Sequence, residues 1–404
     1  MTAAWLVFWV CLAQVLTQIG ANTWPVLLPH LLHEWSLSNS EAGWITGLMY
    51  AAYTLSVPFL VTATDRIDPK KIYLLGVSMT IAAHLGFALF ADGFWTAALF
   101  RALAGIGWAG TYMTGLKLLA DRVDGRMLSR ATAGHAASIG VSGALSFVLA
   151  DMIASRAGWE ASFFSAGVCA AAALLIALFA TPWQQAKPAP AGRMFEFGPV
   201  LRNRHAMAYS IADCVHTWEM NALRGWAVAF LAWVAMATEA EHIWIAPAAV
   251  AMTMSLTGTG ASLFGNELSI RLGRQRLVRY AMSLSILAAA TIGFLGPASY
   301  SIAVAFVLGY GMIIWLDSSS LTAGAAGAAL PGRRGATLAI HSMLGYAGGF
   351  VGPLAIGVTL DMAGGMSHTG WGWAFASTAV VLLAGRIACS ILRPRDLAGD
   401  RDDG

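Results

Sequence analysis

In a chain where only 11% of residues are Asp, Glu, Lys or Arg, the stretch DCVHTWEMNALRG (213–225) holds Asp213, His216, Glu219 and Arg224 within twelve positions. Apolar sequence flanks it, AMAYSIA before and WAVAFLAWVAMA after. Carboxylates beside an imidazole can hold and pass a proton, because burial and neighbouring charge decide which form each adopts. A guanidinium taken out of water binds a carboxylate bidentately. At about 100° per residue, Asp213, His216, Met220 and Arg224 fall within roughly 80° of one helix face, with Glu219 about 60° beyond His216.

Three other stretches repeat the pattern of rare polar groups on one helical face. Gln14, Gln18 and Asn22 follow at i, i+4 and i+8. Arg101, Gly105, Trp108 and Tyr112 follow at i, i+4, i+7 and i+11. Asp317, in WLDSSS, stands alone as a carboxylate in an apolar run. Together these groups would make a wet site that is cationic at Arg101 and Arg224 and titratable at Glu219, His216 and Asp317. Each also has a plainer reading. Arg224 either meets an anion or pairs with Asp317 or Glu219 to hold helices together. Asp213 reads as a helix-end group near the interface. His84, His135 and His341 show no partner in sequence and read as hydrogen-bonded interior histidines. Most of the sixteen Trp read as interfacial belt residues.

The elements that must position these residues are set by the solvent. The 404 residues are 58% hydrophobic, and the mean hydropathy is +0.65. A soluble chain carries roughly a quarter charged residues, more than twice the share here. Twelve apolar runs have spanning length, at about 4–28, 41–63, 70–91, 94–117, 129–154, 159–181, 207–236, 243–268, 277–297, 299–325, 335–360 and 371–392. They are too long and continuous for barrel strands, and a helix pairs its own backbone groups in lipid. The expectation is an all-α integral membrane protein. The cluster at 213–225 must lie within the seventh span, because the apolar run after Arg224 is too short to cross alone.

The net charge of +3 sits almost wholly in alternate connectors, with Arg66, Lys70 and Lys71 after span two and Lys117, Arg122, Arg126 and Arg130 after span four. Arg271, Arg274, Arg276 and Arg279 follow span eight, whereas the opposite connectors hold only Arg156. This positive-inside pattern puts both termini in the cytoplasm and argues against nucleic acid as partner. MTAAWLVFWV, lacking a basic start, reads as an uncleaved first span. Cys11, Cys169, Cys214 and Cys389 lack metal-ligand spacing and read as packing residues. No metal or cofactor is expected, and no HExxH, GxSxG or P-loop points to an enzyme.

The polar connector 182–205 divides the chain into an N-terminal bundle, 1–181, and a C-terminal bundle, 206–392, followed by a tail at 393–404. The halves echo each other: Arg130 matches Arg334, Asp151 matches Asp361, and Gly158–Trp159 matches Gly370–Trp371, about 204 to 212 residues apart. Both begin on one side, giving a parallel repeat about the membrane normal.

TDRIDPKK (64–71) resembles the loop signature between spans two and three of the major facilitator superfamily. Asp65, Arg66, Lys70 and Lys71 match it, while Val61 replaces the leading Gly and Asp68-Pro69 replaces the second. FGNELSIRLGRQR is a weaker copy, in which Gly265, Arg271, Gly273, Arg274 and Arg276 match and Ile270 takes the Asp place. RALAGIGWAG matches the family's span-four pattern at Arg101, Gly105, Gly107 and Gly110, and GYAGGFVGP matches its glycine-rich late helix. Span five lacks the Gly-Pro pair associated with antiport. The resemblance implies a twelve-helix fold in two pseudo-symmetric six-helix bundles, with helices one, four, seven and ten around a central cavity. It also implies a cytoplasmic gate carried by Asp65, Arg66, Lys70, Lys71 and Arg271. Gly105, Gly345 and Gly349 are expected to pack helices closely while permitting motion.

The functional expectation is a secondary transporter of a small organic anion, working by alternating access in the inner or plasma membrane as a monomer. Arg101, Trp108, Tyr112, Arg224, Gln14, Gln18 and Asn22 would bind the solute, and Glu219, His216 and Asp317 would carry the coupling proton. Proton-driven export of drugs or lipophilic metabolites is the second reading, and a non-transporting sensor on the same fold the third.

Overall fold

The computed structural model describes residues 2–64, 66–123, 125–183, 197–240, 243–331 and 333–396, and all regular elements among them are helical. Asp65, most of the 182–205 connector and most of the tail lie outside the described residues. The helices are α1 (Ala3–Gln18), α2 (Thr23–Glu34), α3 (Asn39–Ala63), α4 (Pro69–Phe90), α5 (Phe94–Ala120), α6 (Gly125–Ala157) and α7 (Trp159–Ala180). They continue as α8 (Gly198–Leu201), α9 (Arg204–Ala237), α10 (Pro247–Leu272), α11 (Arg274–Leu295), α12 (Tyr300–Trp315), α13 (Ser318–Gly327), α14 (Arg334–Met362) and α15 (His368–Leu392). Among the described residues ten segments combine the length and apolarity needed to cross a bilayer. α5 and α10 have the length, 27 and 26 residues, with glycines and charges diluting their hydropathy. Twelve spanning segments result, because α1–α2 and α12–α13 are each one span broken near its middle.

Contacts divide the chain into two compact units, one of Met1–Trp35 with Leu48–Met194 and one of Ser36–Gly47 with Phe195–Gly404. In the first, α4 packs along α5 and α7, and α1 rests on α6 and α7. The break after α1 is stitched by Asn22. Its backbone N–H donates to Ser146 Oγ at 2.9 Å, and its side-chain amide donates to the Gly143 carbonyl at 2.9 Å. Those bonds supply partners that the interrupted helix can no longer give itself.

In the second unit, α9 packs chiefly along α14, and α11 along α15. The close α9–α14 approach depends on missing side chains. A Cβ at Gly348 would overlap the Cys214 carbonyl oxygen, and one at Gly352 would overlap that of Trp218. Thr217 Oγ1 uses the same proximity to donate to the Gly345 carbonyl. At the far end of α14, Asp361 caps the start of α3. Its two oxygens accept from Asn39 N–H (3.1 Å), Asn39 Nδ2 (2.8 Å), Ser40 N–H (2.7 Å) and Ser40 Oγ (2.5 Å). A carboxylate there satisfies donors left open by the first turn and complements the helix dipole.

Candidate functional site

The seventh span is α9, a 34-residue helix started by Asn203, whose side chain accepts from His205 and Ala206 N–H. Asp213 is nine residues inside it, so it is not the helix-end group that its sequence position suggests. Its carboxylate is buried and lies 3.4 Å from His341 Nε2 on α14. His341 Nε2 is also 3.4 Å from Thr322 Oγ1 on α13. The histidine that had no partner in sequence therefore has two.

One turn along α9, His216 is 3% exposed and its Nδ1 lies 3.1 Å from Asp317 Oδ1. The break between α12 and α13 makes that contact possible. Asp317 occupies the residue before α13 but leaves the helix uncapped, so its carboxylate is free to meet His216. The break is itself held close to α10, because the Leu316 carbonyl lies where a Cβ at Gly265 would stand. A further turn along, Glu219 is buried and accepts from Tyr310 Oη on α12 at 3.0 Å, with Ser285 of α11 also bonded to it.

Arg224 is half-buried, and its guanidinium lies over the Trp315 ring at 5.6 Å. Among the described residues neither Asp317 nor Glu219 pairs with it; both carboxylates have other partners. The pairing reading of Arg224 is therefore replaced by a cation–π contact.

The first unit holds the other cation. Arg101 is 2% exposed; its Nη1 donates to the Ala21 carbonyl at 3.5 Å, and its Nε is unpartnered among the described residues. A guanidinium has five N–H donors and cannot lose its charge, so this is an under-paired buried cation. Gln14 is fully buried, and both its amide atoms lack partners among the described residues. Gln18 is buried as well. Asn22 differs from these, since its amide is committed to the stitch onto α6. Trp108 packs against Tyr50 and Tyr53 at ring separations of 6.1 and 4.9 Å. Tyr112 stacks on His135 at 5.6 Å, and its carbonyl is 2.9 Å from His135 Nε2.

Of the residues expected at a gate, Asp65 lies outside the described residues, and Arg66 and Lys71 are exposed. Lys70 is buried and donates to the Leu178 and Thr181 carbonyls at 2.7 and 2.5 Å, capping the end of α7. Arg271 pairs with Glu267 of its own helix at 2.8 Å. Gly105 and Gly345 face close neighbours, the Met49 carbonyl and the Asp213 carboxylate, and Gly349 is buried on the same helix. No group of three or more metal-ligating side chains occurs among the described residues.

Sequence reasoning missed Tyr310, His341 and Trp315. Tyr310 precedes Asp317 by seven residues, two turns on one face, which was a usable signal. His341 and Asp213 stand seven and nine residues into helices that both start at an arginine, so their depths match.

The arrangement is that of a helical membrane protein with scarce charges held in its interior. The description Major Facilitator Superfamily matches residues 10–353, and the chain belongs to that family. It is 23% identical over 198 residues to the uncharacterized MFS-type transporter YbcL of Bacillus subtilis (strain 168), covering 47% of this chain and 49% of that one. It is 24% identical over 115 residues to YwoD of the same organism, covering 28% and 25%. The chain thus spans about half or less of the curated relatives it matches. Among solved structures, a bacterial homologue of the human lysosomal transporter Spinster, inward-facing and occupied, superposes with TM-score 0.79 at 16% identity over 96% of each chain. A mutant of the nucleoside transporter NupG gives 0.79 at 14% identity over 96% and 99%. These likenesses establish the fold.

Proposed function

We propose that the protein is a secondary transporter that moves a small organic anion by alternating access, coupled to protons, with both termini in the cytoplasm. The observation that carries the reading is the buried line of acid–base groups on α9, His216 with Asp317 and Glu219 with Tyr310. Ionisable side chains at membrane depth are costly and are kept for ion and substrate paths. Under-paired Arg101, with Gln14 and Gln18, supports an anionic solute, since an anion would complete donors the protein leaves open. Arg224 is held on Trp315 by a contact weak enough to yield to a carboxylate. Glu219 carries the coupling proton, and the His216–Asp317 pair sets whether it does so.

Export of lipophilic cations is the second reading, favoured by three buried carboxylates, Asp213, Glu219 and Asp317, in one unit. A thermal-shift screen of the detergent-purified protein separates the two, using small organic anions, neutral sugars and amino acids, and lipophilic cations at pH 5.5 and 7.5. A ligand at a hundred times its Kd stabilises by about 2.7 kcal/mol. A shift with an anion, lost in Arg101→Ala, supports the first reading. Shifts with cations alone, retained in Arg101→Ala and Arg224→Ala, overturn it.

A further inference from the structure

We infer that Asp213 and His341 form a second proton-carrying pair, the entrance of a relay that runs along α9 to Glu219. This deepens, and rests on, the proton-coupled reading above. Asp213, His216 and Glu219 follow at i, i+3 and i+6, so they climb the helix in steps of about 4.5 Å. Each faces a partner from a different element: His341 from α14 at 3.4 Å, Asp317 from the α12–α13 break at 3.1 Å, and Tyr310 from α12 at 3.0 Å. Asp213 lies close enough to His216 and Asp317 to interact with both charges, and Glu219 does the same from the other side. The two pairs and Glu219 thus form one electrostatic unit.

The remaining titratable neighbours do not interrupt it. Cys214 lies beside Asp213, and Cys389 near Asp317, where its thiol donates to the Ala208 carbonyl. Arg224 lies over Trp315. The Asp213 end is the end that starts at Arg204, which the basic loops assign to the cytoplasm. The Glu219 end is deeper in the span.

The transfer balances without any other reactant. A doubly protonated His341 gives its Nε2 proton to the Asp213 carboxylate and becomes neutral imidazole. The Asp213 acid passes the proton to His216, whose charge is balanced by Asp317, and His216 passes it to the Glu219 carboxylate. Only N–H and O–H bonds form and break. Thr322, at 3.4 Å from His341 Nε2, holds the ring in position. A static brace between α9 and α14 would need none of this ordering, and Thr217 to the Gly345 carbonyl already provides one.

The test uses the full-length protein in detergent with the proton itself as probe. A rapid pH jump from 8 to 5.5 is followed in the infrared at the protonated-carboxyl stretch, in the wild type and in Glu219→Gln, Asp213→Asn and His341→Gln. The band lost in Glu219→Gln marks Glu219. The relay predicts that Asp213→Asn and His341→Gln keep that band's amplitude but slow its appearance at least tenfold, and that the double variant is no slower than the slower single one. Rates within twofold of wild type in both single variants overturn the relay and leave the Glu219 assignment standing. If Glu219→Gln removes no band, the proton reading of the site fails first. Should Asp213→Asn unfold, the His341→Gln rate decides, because that substitution keeps a polar side chain of similar reach.

Discussion

At the scale of single residues, the account turns on which buried charges have partners. Among the described residues Glu219 has a tyrosine hydroxyl and a serine but no cation at ion-pair distance, so its charged form lacks a fixed countercharge there. That is the condition for a carboxylate that gains and loses a proton during a cycle rather than one that braces two helices. Glu219→Gln, which mimics the protonated acid, is expected to abolish accumulation of solute against its gradient while sparing one-for-one exchange. Flux assays in proteoliposomes check this, and accumulation surviving in the variant would remove Glu219 from the coupling path. Arg101 has the opposite deficit, a permanent charge with one long carbonyl contact among the described residues. Arg101→Ala is expected to raise the Kd of a stabilising anion at least tenfold, about 1.4 kcal/mol, as read by ligand titration of the melting temperature. The types of these residues were legible in sequence. Their partners were not, because Asp213 meets His341 across 128 positions of chain, and only packing decides which face of α14 turns toward α9.

At the scale of elements, two devices set the positions of the site. The first is helix breakage: α12–α13 opens at Leu316–Asp317 and frees a carboxylate, while α1–α2 opens near Gly20 and is closed by Asn22. Neither break was marked in sequence, since the polar residues at each, Asn22 with Thr23 and Asp317 with the serines after it, read equally well as a polar stripe on an unbroken helix. Asn22, which reads in sequence as part of a solute-facing stripe, donates its amide N–H to the Gly143 carbonyl across the break. The second device is close approach through glycine. Gly348→Ala is expected to push α14 from α9 and cost about 1–3 kcal/mol, seen as a lower melting temperature with weakened solute response. The Asp361 cap on α3 belongs at this scale too. Asp361→Ala leaves four donors of Asn39 and Ser40 without that acceptor and is expected to cost about 0.5–2 kcal/mol, with Asp361→Asn intermediate. Asp151, its counterpart in the sequence repeat, accepts no comparable set among the described residues, so Asp151→Asn is expected to change the melting temperature little.

At the scale of the whole molecule, composition alone led to the right solvent and the right number of spans, because a bilayer leaves few backbone solutions. The family followed from short basic and glycine motifs that outlast overall similarity, which stands at 14–24% identity to the proteins compared. What such motifs do not carry is the solute, which is set by a handful of interior side chains. The central claim, that anion movement and proton movement are one process, is tested most directly in proteoliposomes loaded with a fluorescent pH dye. Small organic anions and, separately, lipophilic cations are added outside at equal pH, with wild type and Glu219→Gln compared. The account predicts that an anion changes the luminal pH in wild type and not in Glu219→Gln. A pH change driven only by the cations, or one that an anion drives equally in both proteins, would contradict it.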